Sequence, residues 1–103
     1  MALTRWGFIY TLGPDASTTR RDEIGSAACV LVAVAVPAVN AAGAAARQLV
    51  DDGVELIELC GAFGPAGTAA VVEAVGDRVP VGGVYYGGEA TTGLAALFGP
   101  AAP

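Results

Sequence analysis

The strongest constraint on the fold is a continuous apolar, valine-rich segment at residues 29–36. Strands covered on both faces have this composition, which is typical of a parallel sheet. Pro37 follows directly and suits a first helical turn. Residues 38–52 are strong helix formers with one apolar stripe, and Gly53 is placed as the C-terminal cap. The sequence therefore predicts a buried strand followed by a crossover helix.

Further short strands and helices are predicted along the 103-residue chain, whose length suits a single domain. A turn is expected at residues 13–15, and the polar residues 16–26 are expected to form a loop or one short helix. A glycine-rich turn at 61–67 leads into a second helix that ends at Gly76, and a short apolar helix is expected at 91–99. The predicted strands lie at residues 6–12, 29–36, 54–59 and 79–85.

This order predicts a compact α/β domain, β-β-α-β-α-β followed by a short helix, with a mostly parallel four-stranded sheet. Such a layer is similar to half of a β/α barrel or to a flavodoxin-like fold. Residues 1–103 are interpreted as one domain, with a core at 1–90 and a frayed tail at 100–103.

Composition excludes several classes of function. The formal net charge of −5 leaves no basic surface for nucleic acid. The chain has no histidine and its five basic residues are all arginines, which excludes histidine-based triads, histidine metal sites and lysine Schiff bases. The longest apolar run is broken at Pro37, short of the roughly 20 residues of a membrane span, and no signal peptide is recognisable. We therefore expect a cytoplasmic protein with a small-molecule ligand or substrate, no cofactor and no metal.

Sites in parallel α/β folds collect at the carboxyl ends of the strands. The turn at residues 61–67 lies at such an end and enters a helix N-terminus, where free amides favour an anion or a polarised carbonyl oxygen. Its glycine spacing matches neither a phosphate-binding loop nor a dinucleotide fingerprint, and a close-packed structural turn is the alternative. The candidate ligand-binding residues are Gly61, Ala62, Phe63, Gly64, Asn40, Tyr10 and Tyr86.

Glu58 is the main candidate for a catalytic acid or base. Strand alternation puts Glu55 and Glu58 on opposite faces, so one of them is expected to point into a covered apolar layer unless the strand lies at an edge of the sheet. Burial raises the pKa of a carboxyl group and makes it a natural general acid or base. The alternative is a structural ion pair with Arg5 or Arg78.

Cys60 and Tyr85 are further catalytic candidates. Cys60 precedes a helix N-terminus, a setting that can activate a thiol, but no histidine is present as its base, so a buried structural thiol is favoured. Tyr85 and Tyr86 alternate along the strand, so one can pack while the other donates a hydrogen bond to a ligand. Cys29 and Cys60 form no disulfide framework and no zinc-site spacing.

The segment G-V-E-L-I-E-L-C-G-A-F-G at residues 53–64, followed by V-P-V-G at 79–82, resembles a small bacterial family of domains of unknown function. That family has an I-E-L-C-G-x-F-G signature before a helix. The resemblance covers residues 5–86 and implies a compact α/β fold, but it implies no reaction and no catalytic residues.

Two functions remain open. One is a small cofactor-free enzyme of the isomerase, lyase or cyclase type acting on a carbonyl-bearing metabolite. There Glu58 would move a proton while the amides of residues 61–67 and Tyr85 or Tyr86 stabilise an oxyanion. The other is a non-catalytic module for small-molecule binding or assembly.

A homodimer or a larger closed assembly is expected in either case. The apolar residues 94–98 have little of their own domain left to cover, which favours a position at or near a subunit interface. Packing of this tail onto its own sheet in a monomer is the alternative.

Overall fold

The computed structural model describes residues 2–13 and 15–99, so Pro14 of the predicted turn and the predicted tail at 100–103 lie outside the described residues. The strands are β1 (Arg5–Thr11), β2 (Arg20–Gly25), β3 (Val30–Val36), β4 (Ile57–Leu59) and β5 (Val81–Gly83). The helices are α1 (Ala42–Asp51), α2 (Gly64–Val75) and α3 (Thr91–Phe98), with 3-10 turns at Val39–Ala41 and Gly88–Ala90. One sheet has the order β2-β3-β1-β4-β5. β2 is antiparallel to β3, and the other neighbours are parallel.

The strand β2 lies where the sequence predicted a loop or short helix at residues 16–26, so that prediction is wrong. It pairs with β3 as an edge strand and makes the sheet five-stranded. Its charges have partners on neighbouring elements: Arg21 contacts Asp52 beyond α1, and Glu23 Oε1 lies 3.2 Å from Arg5 Nη1. These contacts come from distant parts of the chain, which explains why the local sequence does not look like a strand.

The other predicted strands and helices are confirmed with shifted ends. β4 and β5 span only three residues each, less than the predicted segments 54–59 and 79–85. Helix α2 begins inside the predicted turn at Gly64, with Pro65 in its first turn, where a missing N–H is tolerated. No helix among the described residues has the length and apolar character to cross a membrane.

Helices α1 and α2 pack side by side on one face of the sheet and form the core there. Gly7 of β1 allows this approach, because a Cβ at this position would lie 2.9 Å from Leu49 Cδ1 of α1. Right-handed crossovers from β3 to β4 and from β4 to β5 run in the same direction, so both helices lie on the same face. The buried core residues are Ile9, Val32, Val34, Val36, Ala42, Ala45, Ala46, Leu49, Val54, Ile57, Leu59, Phe63, Val71 and Val75.

The opposite face of the sheet is packed against neither α1 nor α2, and within the described residues no helix replaces them. The expected burial of this segment on both faces holds for residues 32–36, while residues 29–31 are partly exposed. In the described chain helices cover only one face, so the layer is one-sided instead of flavodoxin-like. We call this surface the open face. Its residues, read from the strand register, are Trp6, Phe8, Tyr10, Arg20, Asp22, Ile24, Leu31, Ala33, Ala35 and Glu58.

Glu55 fixes the beginning of β1. Its Oε1 accepts hydrogen bonds from the backbone N–H of Thr4 at 2.7 Å and of Arg5 at 2.9 Å, and from the Thr4 hydroxyl at 2.9 Å. The backbone and hydroxyl bonds from Thr4, followed by the bond from Arg5, lower the pKa of the Glu55 carboxyl from about 4.5. The ionised carboxylate therefore stabilises the folded chain.

We expect Glu55→Gln to destabilise the protein at neutral pH and less so in acid. The folded-state pKa of Glu55 is below its unfolded value, so its contribution is fully present above the unfolded value and is lost as the pH falls through the folded one. Urea unfolding of both chains at pH 7 and in acid measures this difference. Glu73→Gln, an exposed change on α2, is the control. If Glu55→Gln lowers the free energy of unfolding by the same amount at pH 7 and in acid, this role of Glu55 is contradicted.

Candidate functional site

The carboxyl ends of β4 and β5 lie side by side. The Val84 N–H donates to the Leu59 carbonyl at 2.9 Å, and the Cys60 N–H donates to the Ile9 carbonyl at 3.0 Å. Directly beyond them Gly64 has a φ of 61°, a left-handed conformation that favours glycine and that turns the chain into α2. Two short strands and a helix start therefore meet at this edge of the sheet.

A groove of about 520 Å³ lies between α2 and β5. Cys60 and Gly64 line it together with Tyr85, so the structure brings two of the predicted catalytic residues to one place. Thr68 and Val72 of α2 line the same groove and were not identified from the sequence. Thr68 and Val72 are four residues apart, which places them on one helix face, and this spacing could have been read from the sequence. We call this the α2–β5 groove.

A second groove of about 540 Å³ lies beside α3 and brings together three predicted ligand-binding residues. Gly61 and Ala62 line it with Tyr86, and α3 adds Leu94 and Phe98. The tyrosine ring lies so close to Gly61 that a Cβ there would be 3.0 Å from Tyr86 Cε2. We call this the C-terminal groove. The two neighbouring tyrosines thus line different grooves, but both are exposed, so neither packs as the alternation predicted.

Three predicted ligand-binding residues lie away from both grooves: Tyr10 on the open face, Asn40 and Phe63. Asn40 lines a separate depression between α1 and α2, together with Arg47 and Gly67. Phe63 is 5% exposed and packs in the core, so its side chain anchors the start of α2 and does not face a ligand.

Glu58 lies on the open face, in register with Phe8 of β1 and Gly82 of β5. Tyr10 lies on the same face, and its ring stacks on Phe8 with centroids 5.8 Å apart and an interplanar angle of 21°. Phe8 was not identified as a site residue from the sequence, although strand alternation already placed it on the face of Tyr10. Glu58 and Tyr10 are thus separated from Cys60 and Tyr85.

The expectation of a buried glutamate is wrong, because Glu55 and Glu58 are both exposed. The ion-pair alternative for Glu58 is also wrong in the described chain. Arg5 pairs with Glu23, and Arg78 Nη1 lies 3.5 Å from Asp51 Oδ1. Among residues 2–13 and 15–99, Glu58 accepts no hydrogen bond and makes no salt bridge.

A model described as a family of unknown function, DUF6506, matches residues 4–99. The chain belongs to this family. No curated protein and no solved structure matches the chain.

The part of this DUF6506 member that matches the family includes the open face and both grooves. Within the described residues, no three histidine, cysteine or acidic side chains are grouped as metal ligands would be. Both cysteines are free thiols, and each is partly buried. The polar groups at the open face include the Glu58 carboxylate, the Tyr10 hydroxyl and the Arg20–Asp22 pair.

Proposed function

We propose that the protein is a small cofactor-free enzyme of the isomerase, lyase or cyclase type that acts on a carbonyl-bearing metabolite bound on the open face. The observation that carries this proposal is the position of Glu58. Its carboxylate has no partner among the described residues and stands beside the stacked rings of Phe8 and Tyr10. An unpaired carboxylate next to an apolar binding surface is suited to proton transfer.

Glu58 acts as the general base and then as the general acid. It takes a proton from the carbon next to the substrate carbonyl, and the electron pair of the broken C–H bond moves onto the carbonyl oxygen. In a substrate with a C=C bond one carbon beyond, the negative charge is shared along a dienolate. The protonated Glu58 returns the proton to the far carbon of that double bond, the C=C bond shifts next to the carbonyl and the C=O bond re-forms, so the reaction needs no oxidant and no second substrate. The rings of Phe8 and Tyr10 hold the flat enolate by apolar contact.

Tyr10 is the hydroxyl donor that the geometry favours for the enolate oxygen. In the parallel register of β1 and β4, Glu58 pairs with Phe8, and Tyr10 lies two residues further along β1 on the same face. Tyr85 and the turn at residues 61–67, which the sequence suggested for this role, line the two grooves instead. A donor aimed at the developing negative charge lowers the barrier to proton abstraction.

We expect Glu58→Gln to lower turnover by about 10²–10⁴-fold, the usual contribution of a positioned acid or base. Untargeted mass spectrometry of metabolites retained by the purified protein supplies the compounds to be assayed. Glu73→Gln is the matched control, since Glu73 is an exposed glutamate on α2. Since Glu58 is exposed, both variants should fold. Full turnover in Glu58→Gln would rule out this mechanism.

The α2–β5 groove favours a second function, a non-catalytic small-molecule-binding module. Its lining combines the Cys60 thiol with apolar side chains such as Val72 and Val84, which suits an apolar ligand. The same experiment separates the two functions. A compound that Glu58→Gln retains as tightly as the parent protein, and that neither converts to product, supports the binding module.

A further inference from the structure

The helix α3 receives little support from its own chain. It packs mainly against the 3-10 turn at Gly88–Ala90 that leads into it, and none of its residues is buried. Isolated helices shorter than about 12–15 residues are marginal in water, whereas α3 has eight residues and no charged side chain. A helix without a polar face is stable when it is buried. A further surface is therefore needed to stabilise α3.

Exposed apolar side chains are concentrated in the segment that carries α3. Nine large hydrophobic residues are exposed in the described chain, and five of them lie within residues 84–98: Val84, Tyr85, Tyr86, Leu97 and Phe98. The missing cover is therefore located at this segment. At about 200 Å² for an aromatic residue, Tyr85, Tyr86 and Phe98 leave about 450 Å² uncovered, since they are 90%, 53% and 80% exposed. That is more than half of the about 800 Å² that a standard interface hides on each partner.

The surface around α3 has both a projecting side chain and a groove that can receive it. Leu94, Leu97 and Phe98 lie on one stripe of α3, because they are three and four residues apart. Leu94 and Phe98 line the C-terminal groove beside Tyr86, whereas Leu97 lies outside it and is 75% exposed. The groove has a volume of about 540 Å³, several times that of a leucine side chain. A two-fold interface requires this self-complementarity, because one patch binds its own copy.

The distribution of charge favours a second copy as the occupant. The chain has a formal net charge of −5, so two copies repel each other over most of their surface. Glu89 is the single charged residue from position 79 onward, and its carboxylate lies over Gly87, before α3 begins. Few charges together with tyrosine and phenylalanine are typical of the core of a protein interface. Two copies can therefore approach each other at α3 without bringing like charges together.

We infer that two copies of this chain pair around a two-fold axis, with α3 of each copy packed against α3 of the other. The partner's Leu97 enters the C-terminal groove and contacts Tyr86 and Phe98, so this groove is complete only in the dimer. The dimer does not depend on the proposed function, since Glu58 lies on the open face and lines neither groove.

The oligomeric state is the first test. Size-exclusion chromatography with light scattering should give a dimer mass for the full chain at micromolar concentration and a monomer mass for Leu97→Glu. That substitution would place a carboxylate in each of the two apolar grooves. Leu97 is exposed within one chain, so the variant should fold, which circular dichroism checks. Ile24→Glu is the matched control, because Ile24 is an exposed aliphatic residue on β2, and this variant should remain a dimer.

Three results would overturn the inference. A monomer mass for the full chain would exclude the dimer, and a dimer mass for Leu97→Glu would exclude α3 as the interface. A monomeric Ile24→Glu would place the contact on the open face. The mass of the full chain should also stop at twice the 10.1 kDa of one chain as its concentration rises. A mass that continues to rise would indicate head-to-tail contacts and contradict the two-fold axis.

Hydrogen exchange of the α3 amides provides an independent measurement. They should be protected in the parent chain and in Ile24→Glu, and they should exchange freely in Leu97→Glu, because an eight-residue helix without a partner frays. The amides of the core strand β3 are the internal control and should be equally protected in all three proteins. Protection of α3 in a monomeric Leu97→Glu would show that the chain holds α3 by itself and would overturn the inference.

Discussion

Leu49→Ala is expected to lower the free energy of unfolding by about 3 kcal/mol, within the 2–5 kcal/mol range for truncating a buried leucine. Leu49 is 1% exposed and lies at the centre of the contact between α1 and the sheet. Gly7 is its immediate neighbour on β1 and has no side chain that could move into the space. The cavity left by the deleted methyl groups therefore stays open, which increases the cost of the substitution.

Thermal and urea unfolding measure this effect. A loss of about 3 kcal/mol corresponds to a fall in melting temperature of roughly 12–24 °C for a domain of this size. Gln48→Ala is the control because Gln48 is the exposed neighbour on the same helix, and its change should be within about 0.5 kcal/mol. Similar melting temperatures for Leu49→Ala and Gln48→Ala would show that α1 does not anchor the core through Leu49.

Gly25→Ala is expected to cost about 2 kcal/mol or more, because the added methyl group meets main-chain atoms that cannot rotate away. A Cβ at Gly25 would overlap the carbonyl oxygen of Cys29 and would lie 2.8 Å from the Val30 Cα. The same carbonyl accepts the Ser26 N–H at 3.0 Å and closes the turn between β2 and β3. Relieving the overlap would break this turn and weaken the edge strand.

Hydrogen exchange should show loss of protection in β2, and urea unfolding gives the size of the effect. Gly82→Ala is the control, since Gly82 also lies in a strand but has no atom within 4 Å of an added Cβ. That substitution should be neutral or slightly stabilising, because alanine reduces the entropy of the unfolded chain. Equal stability of the two variants would contradict the tight turn at Gly25.

The sequence was sufficient for the elements whose signal is local. The apolar run at residues 29–36 and the helix formers after it correctly predicted β3 and α1. β2 could not be found in this way, because its contacts with Asp52 and Arg5 join it to distant segments. The local sequence also could not show whether helices cover one face of the sheet or both. That depends on whether successive strand–helix–strand connections move across the sheet in the same direction or in opposite directions.

The candidate site shows the same division. The rule that sites lie at the carboxyl ends of strands brought Cys60 and Tyr85 together correctly, and likewise Gly61 and Tyr86. Separating these residues into two grooves required the positions of α2 and α3. For Glu58, alternation left open which of Glu55 and Glu58 points into a covered layer, and the expected burial was wrong because both side chains are exposed.

The hydrogen bonds of Glu55 also determine where the chain can be extended without interference. They secure Thr4 and Arg5 at the amino end of β1, whereas Leu59, which precedes the groove residue Cys60, pairs with Ile9, about 13 Å further along the strand at 3.3 Å per residue. A purification peptide or a fluorophore attached ahead of residue 4 therefore leaves the domain at the end remote from the grooves. The same attachment after α3 would project beside Phe98 and the C-terminal groove.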